Sequence, residues 1–176
     1  TLGNAGWFWI VLAVLMLTVL PKKYKKAGLT MAIALILSLI FCNGIMKHLW
    51  ARPRAFWVVG QNFVVGNEFE NLYGIFNSIH DYSFPSGHSS ASFAAAVSIF
   101  MWRKKEGSAA LVLAALIAFS RLYFTVHYPT DVLVGTITGA LYGVAAYFIV
   151  KALMNKVPKL NAISVSYTHL TLPTKL

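Results

Sequence analysis

Five apolar stretches divide the chain, at residues 5–20, 27–46, 88–102, 108–126 and 131–153. None alternates polar and apolar positions with a period of two, as barrel strands do, and only helices or closed barrels cross lipid. A helix needs about 20 residues to cross a hydrocarbon core of about 30 Å, with about 17 as a practical floor. The second, fourth and fifth stretches meet that length. The first is short, and the third reaches it only by borrowing Ser86 and Gly87. The pattern predicts an all-α fold, a polytopic transmembrane helical bundle with five spans visible. In the last span Gly135, Gly139 and Gly143 recur every fourth residue, a spacing that lets helices approach closely. Packing within one chain is the expected use, ahead of a dimer seam.

The polar residues between the spans predict orientation. Lys22, Lys23, Lys25 and Lys26 follow the first span, Arg103, Lys104 and Lys105 follow the third, and Lys151, Lys156 and Lys159 end the fifth. If spans alternate in direction, all three clusters fall on one side, which the positive-inside rule makes cytoplasmic. The segments 47–87 and 121–131 then share the opposite, extracytoplasmic face. The longer of these carries Phe56, Trp57, Phe63, Phe69, Tyr73, Phe76, Tyr82 and Phe84, an aromatic density suited to the headgroup layer.

Composition narrows the function. Hydrophobic residues make up 58% and charged residues 11%, which excludes a soluble enzyme, a disordered chain and a coiled coil. A net charge of +10 would point to nucleic acid in a polar protein. Here ten of the fifteen basic residues lie in the three topogenic clusters, so a bilayer and a membrane lipid are the expected partners and nucleic acid is not. Oligomeric state stays open. The single cysteine, Cys42, excludes an intrachain disulfide and a cysteine metal cluster. Five acidic residues make a multi-carboxylate metal site hard to build, so neither a metal nor another cofactor is expected.

The chain starts at Thr1 and is apolar from residue 7, which predicts that upstream residues are missing. Residues 165–170, VSYTHL, read like translated adapter sequence. The expected organisation is a single membrane domain over residues 1–160, followed by a non-native tail over 161–176.

Ionisable groups beside membrane spans are costly and usually functional. Lys47 and Arg54 follow the second span, Ser86, Gly87 and His88 open the third, Arg121 lies near the end of the fourth, and His127 and Asp131 flank the start of the fifth. Singly, each has an ordinary use: Lys47 snorkelling, Arg54 on lipid headgroups, Asp131 as a helix cap. Together, three cations, two imidazoles, a carboxylate and a Ser-Gly turn on one membrane face suit a phosphate group. Pro85-Ser86-Gly87-His88 breaks the chain and starts a helix, whose N–H groups and positive dipole end attract an anion. Gly87 permits close backbone approach, and Ser86 adds a hydroxyl donor. Lys47, Arg54 and Arg121 neutralise oxygens whose charge grows in a transition state. With Pro129 between them, Asp131 is expected to hold the Nδ1–H of His127 and leave Nε2 as a nucleophile, with His88 as general acid. Asp81 and His80, just ahead of Pro85, are left unassigned, with loop capping as the default.

Lys47-x6-Arg54, Pro85-Ser86-Gly87-His88 and Ser120-Arg121-x5-His127-x3-Asp131 resemble the three signature motifs of the type 2 phosphatidic acid phosphatase family, motifs also found in vanadium haloperoxidases. The resemblance covers residues 47–131, in the family's order and spacing. It implies a membrane phosphatase of six helices, so that one helix would lie upstream of the five visible here. It also implies metal-independent hydrolysis of a lipid phosphate or diphosphate through a phosphohistidine. His127 would be the nucleophile, Asp131 its orienting partner, His88 the acid, and Lys47, Arg54, Ser86, Gly87 and Arg121 the phosphate binders. The expected substrate is undecaprenyl diphosphate, with phosphatidylglycerophosphate and phosphatidic acid behind it. A haloperoxidase and an anion transporter are the rival readings. One departure shows: Ala55 stands where the family pattern has Pro after Arg54, which loosens the backbone there.

Overall fold

A computed structural model describes residues 5–54, 81–124 and 126–156. Among them the chain forms five helices, with no strand: α1 (Ala5–Thr18), α2 (Lys22–Trp50), α3 (Gly87–Trp102), α4 (Lys104–Tyr123) and α5 (Pro129–Lys156). They match the five apolar stretches. Three of them, α2, α4 and α5, are long and apolar enough to cross a bilayer, while α1 and α3 have 14 and 16 residues. The chain is an all-helical, multi-pass membrane bundle.

The ends of the helices differ from the expected ones where polar residues extend a helix past its apolar run. α4 begins at Lys104, since Lys104, Lys105 and Glu106 form its first turn. α2 continues through Lys47 to Trp50, so Lys47 sits on a helix and the interhelical segment starts later than expected. Within α2, residues Ser38–Met46 are wound as a π-helix, a wider turn that tends to occur at functional sites. At its C-terminus Ala51 takes a left-handed conformation (φ 42°), which reverses the chain direction just before Arg52.

α3 is the central helix. It packs against each of the other four, and none of its residues is exposed. That environment explains its composition. Ser89, Ser90, Ser92, Ala94, Ala95, Ala96 and Ser98 are all buried, because small side chains let neighbouring backbones come close where no water drives helices together. The α5 glycines serve this contact: a Cβ at Gly135 or Gly139 would lie 2.5 Å from the Ser86 carbonyl oxygen or 2.2 Å from that of Ser90. One at Gly143 would lie 2.9 Å from the Ala94 carbonyl oxygen. The glycine repeat is thus a seam within the chain, as its spacing predicted.

Hydroxyls and indoles tie the helices where lipid offers no partners. Trp9 Nε1 donates to Ser92 Oγ at 3.0 Å, Trp102 Nε1 to Thr30 Oγ1 at 2.8 Å, and Ser38 and Ser90 hydroxyls meet at 2.8 Å. The apolar core joins Trp9, Ala13 and Met16 of α1 to Ala27 and Met31 of α2 and Ala95 and Ile99 of α3. The large apolar side chains of the outer faces, among them Leu116, Phe119, Leu133 and Leu141, are exposed, as suits positions that meet lipid.

The helices alternate in direction. At one end the α1–α2 and α3–α4 turns meet: Arg103 stacks over the Tyr24 ring at 4.7 Å, and Tyr24 Oη donates to Glu106 at 3.4 Å. This is the lysine-rich end. At the other end the C-terminus of α2 meets the N-termini of α3 and α5, through Arg52 Nη1 to Asp131 at 2.8 Å and Ser86 N to the Asp131 carbonyl at 3.0 Å. The aromatic-rich part of the α2–α3 connection, Ala55 and the tail at 161–176 lie outside the described residues.

Candidate active site

The end where α2, α3 and α5 converge holds a cavity of about 410 Å³. Its polar lining comes from Asn43 and Lys47 of α2, Arg54 and Asp81 of the connection, Gly87 and His88 at the start of α3, and His127 just before α5. The structure therefore brings five of the eight expected residues, Lys47, Arg54, Gly87, His88 and His127, to one wall. Ser86, Asp131 and Arg121 are not on it.

Ser86 and Asp131 stand directly behind. Ser86 is fully buried and serves as the N-cap of α3, its Oγ accepting from Ser89 N at 3.5 Å and Ser89 Oγ at 3.0 Å. Its own N–H is fixed on the Asp131 carbonyl at 3.0 Å. The turn so anchored points the opening of α3 toward the cavity, where a helix N-terminus favours an anion. Gly87 meets Asn43 across it: a Cβ there would lie 2.5 Å from the Asn43 amide oxygen.

Asp131 is in the first turn of α5, after Pro129 as the first helical residue, a position that suits proline's fixed φ. Its fully buried carboxylate accepts from the Tyr128 N–H at 3.0 Å, from Arg52 Nη1 at 2.8 Å and from the Ser83 hydroxyl. His127 Nδ1 is 3.6 Å from it, whereas the Ser83 carbonyl oxygen is only 2.8 Å from Nδ1. The expected direct hold of Asp131 on His127 is thus shared: Ser83 accepts the Nδ1–H through its backbone and ties the carboxylate in place with its hydroxyl.

On the other side of the ring, His127 Nε2 lies 3.3 Å from Arg54 Nη1. A guanidinium only donates, so Nε2 presents its lone pair and Nδ1 carries the hydrogen. His127 is 4% exposed. Burial, the largest influence, pushes the imidazole below the ordinary histidine range, and the Arg54 charge adds to it; Asp131 and the Ser83 carbonyl act the other way.

Lys47 and Arg54, both nearly buried, share one anion, Asp81. The Lys47 ammonium is ion-paired with Asp81 Oδ2, and Arg54 Nε donates to the Asp81 carbonyl at 2.8 Å. Asp81 is not a simple loop cap, then. Arg54 also reaches the Val126 carbonyl at 3.3 Å, which joins the α2–α3 connection to the turn before α5. Arg121 stands further back on α4, with Nε 3.3 Å from Ser120 Oγ, and its charge acts on Arg54 without facing the cavity.

Arg52, Asp81 and Ser83 are the participants that motif reading missed. Arg52 pairs with Asp131, donates to Thr130 Oγ1 at 2.8 Å and stacks on the Tyr128 ring at 3.9 Å. The available signals were faint: a second cation two residues before Arg54, and an acid and a hydroxyl just ahead of Pro85. Among the described residues no three His, Cys, Asp or Glu side chains converge as metal ligands would.

The chain is 34% identical over 134 residues to YbjG of Escherichia coli strain K12, provisionally named an undecaprenyl-diphosphatase, covering 75% of this chain and 61% of that protein. It is 29% identical over 135 residues to the undecaprenyl-diphosphatase of Sulfolobus acidocaldarius, with 76% and 59% covered. It is 31% identical over 150 residues to the lipid A 4'-phosphatase of Bacteroides thetaiotaomicron, with 80% and 64% covered. The chain thus spans about three-fifths of the length of these curated relatives. No solved structure matches it significantly. The PAP2 superfamily model matches residues 23–155, from the start of α2 to the end of α5, and the chain belongs to that family.

Proposed function

We propose that the chain is a membrane phosphatase that removes the terminal phosphate of a lipid phosphate or diphosphate at the extracytoplasmic face. The observation that carries this reading is His127, whose Nε2 faces Arg54 Nη1 at 3.3 Å on a cavity that Lys47, Arg54 and the opening of α3 also line. Nε2 attacks phosphorus, and the bond from phosphorus to the leaving oxygen breaks as His88 gives that oxygen its proton. Water, deprotonated by His88, then attacks the phosphohistidine, releasing inorganic phosphate and restoring both imidazoles. Lys47, Arg54 and the first N–H groups of α3 at Gly87 and His88 stabilise the charge that builds on the phosphoryl oxygens. Ser86 and Asp131 hold the turn and the ring, and Arg121 adds positive potential behind Arg54. No metal is needed for these steps.

Two features support a lipid substrate. An apolar cavity of about 360 Å³ between α1 and α2 shares Gly6, Ile10, Leu39, Asn43 and Ala91 with the polar one, so a hydrocarbon chain has a place beside its phosphate. The lysine-rich end of the bundle is opposite the cavity, which by the positive-inside rule turns the cavity outward. Undecaprenyl diphosphate is the favoured substrate, since relatives bearing that activity in their names align over three-quarters of the chain. The test is phosphate release in detergent, with EDTA present, from undecaprenyl diphosphate, phosphatidylglycerophosphate, phosphatidic acid and lipid A. Turnover fastest on undecaprenyl diphosphate is expected. A requirement for a divalent metal would overturn the mechanism, and preference for another lipid would overturn the substrate.

A further inference from the structure

Lys47 and Arg54 are 6% and 7% exposed, and a buried cation without a counter-charge is strongly destabilising. Both are met by one carboxylate oxygen. Asp81 Oδ2 pairs with the Lys47 ammonium and lies 3.6 Å from Arg54 Nη2, so it stands where the two cations converge on the cavity wall. The partners are unequal in freedom. The cations are held by burial, whereas the Asp81 side chain is 53% exposed and can turn into water at small desolvation cost. The carboxylate therefore occupies the position that a phosphoryl oxygen takes when a substrate enters.

The geometry points to Asp81 as a specificity-determining residue, whose carboxylate yields to a dianionic terminal phosphate and turns away monoanionic phosphodiesters. This rests on the reading of the cavity as a phosphate site. A phosphodiester exchanges one negative charge for another against the two cations and gains nothing by Coulomb attraction. A phosphomonoester or terminal diphosphate brings a second charge and wins the exchange. The distinction matters at a membrane surface, where phosphodiester headgroups crowd the opening and would fill a bare two-cation pocket. Asp81 supplies the competing anion that a specific site needs against abundant wrong ligands.

Calorimetric titration of the full chain in detergent tests this, with methyl phosphate as the dianion and dimethyl phosphate as the monoanion, at about pH 8 where the former is fully ionised. The unsubstituted chain is expected to bind methyl phosphate and to bind dimethyl phosphate at least about tenfold more weakly. Asp81→Asn is expected to tighten dimethyl phosphate more than methyl phosphate, closing most of that gap, and Asp81→Glu to restore it. An unchanged ratio in Asp81→Asn would overturn the proposal. So would equal affinities in the unsubstituted chain, a measurement that needs no variant to fold. Failure of every chain to bind methyl phosphate would instead overturn the phosphate reading itself.

Discussion

Arg54 Nη1 and His127 Nε2 face each other at 3.3 Å, so the cation proposed to receive the phosphate also orients the nitrogen proposed to attack it. The two residues are far apart in sequence and meet because α2 ends and α5 begins at the same face. Removing either should separate attack from binding. His127→Ala is expected to lower kcat by at least about 10³-fold while phosphate binding persists. Arg54→Gln is expected to lower kcat/KM by about 10²- to 10³-fold and to weaken phosphate binding. Phosphate release and equilibrium titration on the same preparations check both.

The pH profile follows from the state of His127. Burial holds its pKa below the ordinary value of about 6.5, and the neutral ring is the form proposed to attack. His127 therefore sets the acid limb alone: its attacking form is lost as pH falls through the depressed value. The acid limb of kcat/KM is expected below about pH 6.5. Asp131 raises the ring's pKa, so Asp131→Asn should move that limb lower still, with a reduced plateau. A limb that moved upward would contradict the assignment.

Arg52 acts through Asp131. Its guanidinium bridges the carboxylate, Thr130 and the Tyr128 ring, and so clamps the turn that carries His127. Arg52→Ala is expected to lower stability by about 1–3 kcal/mol, because a buried carboxylate loses a charged donor. It should lower kcat more than it raises KM. Thermal unfolding in detergent and steady-state kinetics distinguish this from a surface cation.

The seam between α3 and α5 is expected to tolerate no side chain. Gly135→Ala places a methyl group against the Ser86 carbonyl, and backbone at 2.5 Å must move. A loss of about 1–3 kcal/mol is expected from overpacking, with loss of turnover because Ser86 anchors the phosphate turn. The same change at Gly6, which a Cβ would leave without contacts, should be close to neutral for stability.

The bundle was legible in the sequence because lipid imposes length and apolarity on any helix that faces it, as α2, α4 and α5 do. The central helix was harder to read. Its serines and alanines answer to neighbouring backbones, which no hydropathy window senses. Among site residues, Lys47, Arg54, His88 and His127 stood out as charged or titratable groups beside apolar runs. Ser83 did not, since half its contribution is a backbone carbonyl. Asp81 was left unassigned because its partners come from α2 and from Arg54, contacts that depend on the left-handed Ala51 and the π-wound segment. Neither of those backbone features has a residue pattern that announces it.

The position of α3 among its four neighbours has a consequence for how the protein meets different membranes. Bilayers vary in thickness, and a helix in contact with lipid answers by tilting or kinking. α2, α4 and α5 carry that contact. α3 has no exposed residue, and its opening turn is registered against Gly135, Asn43 and Asp131 instead of the headgroup plane. The phosphate turn thus keeps its depth relative to the attacking imidazole when the surrounding lipid thickens or thins, and acyl-chain length is left to act on how substrate arrives.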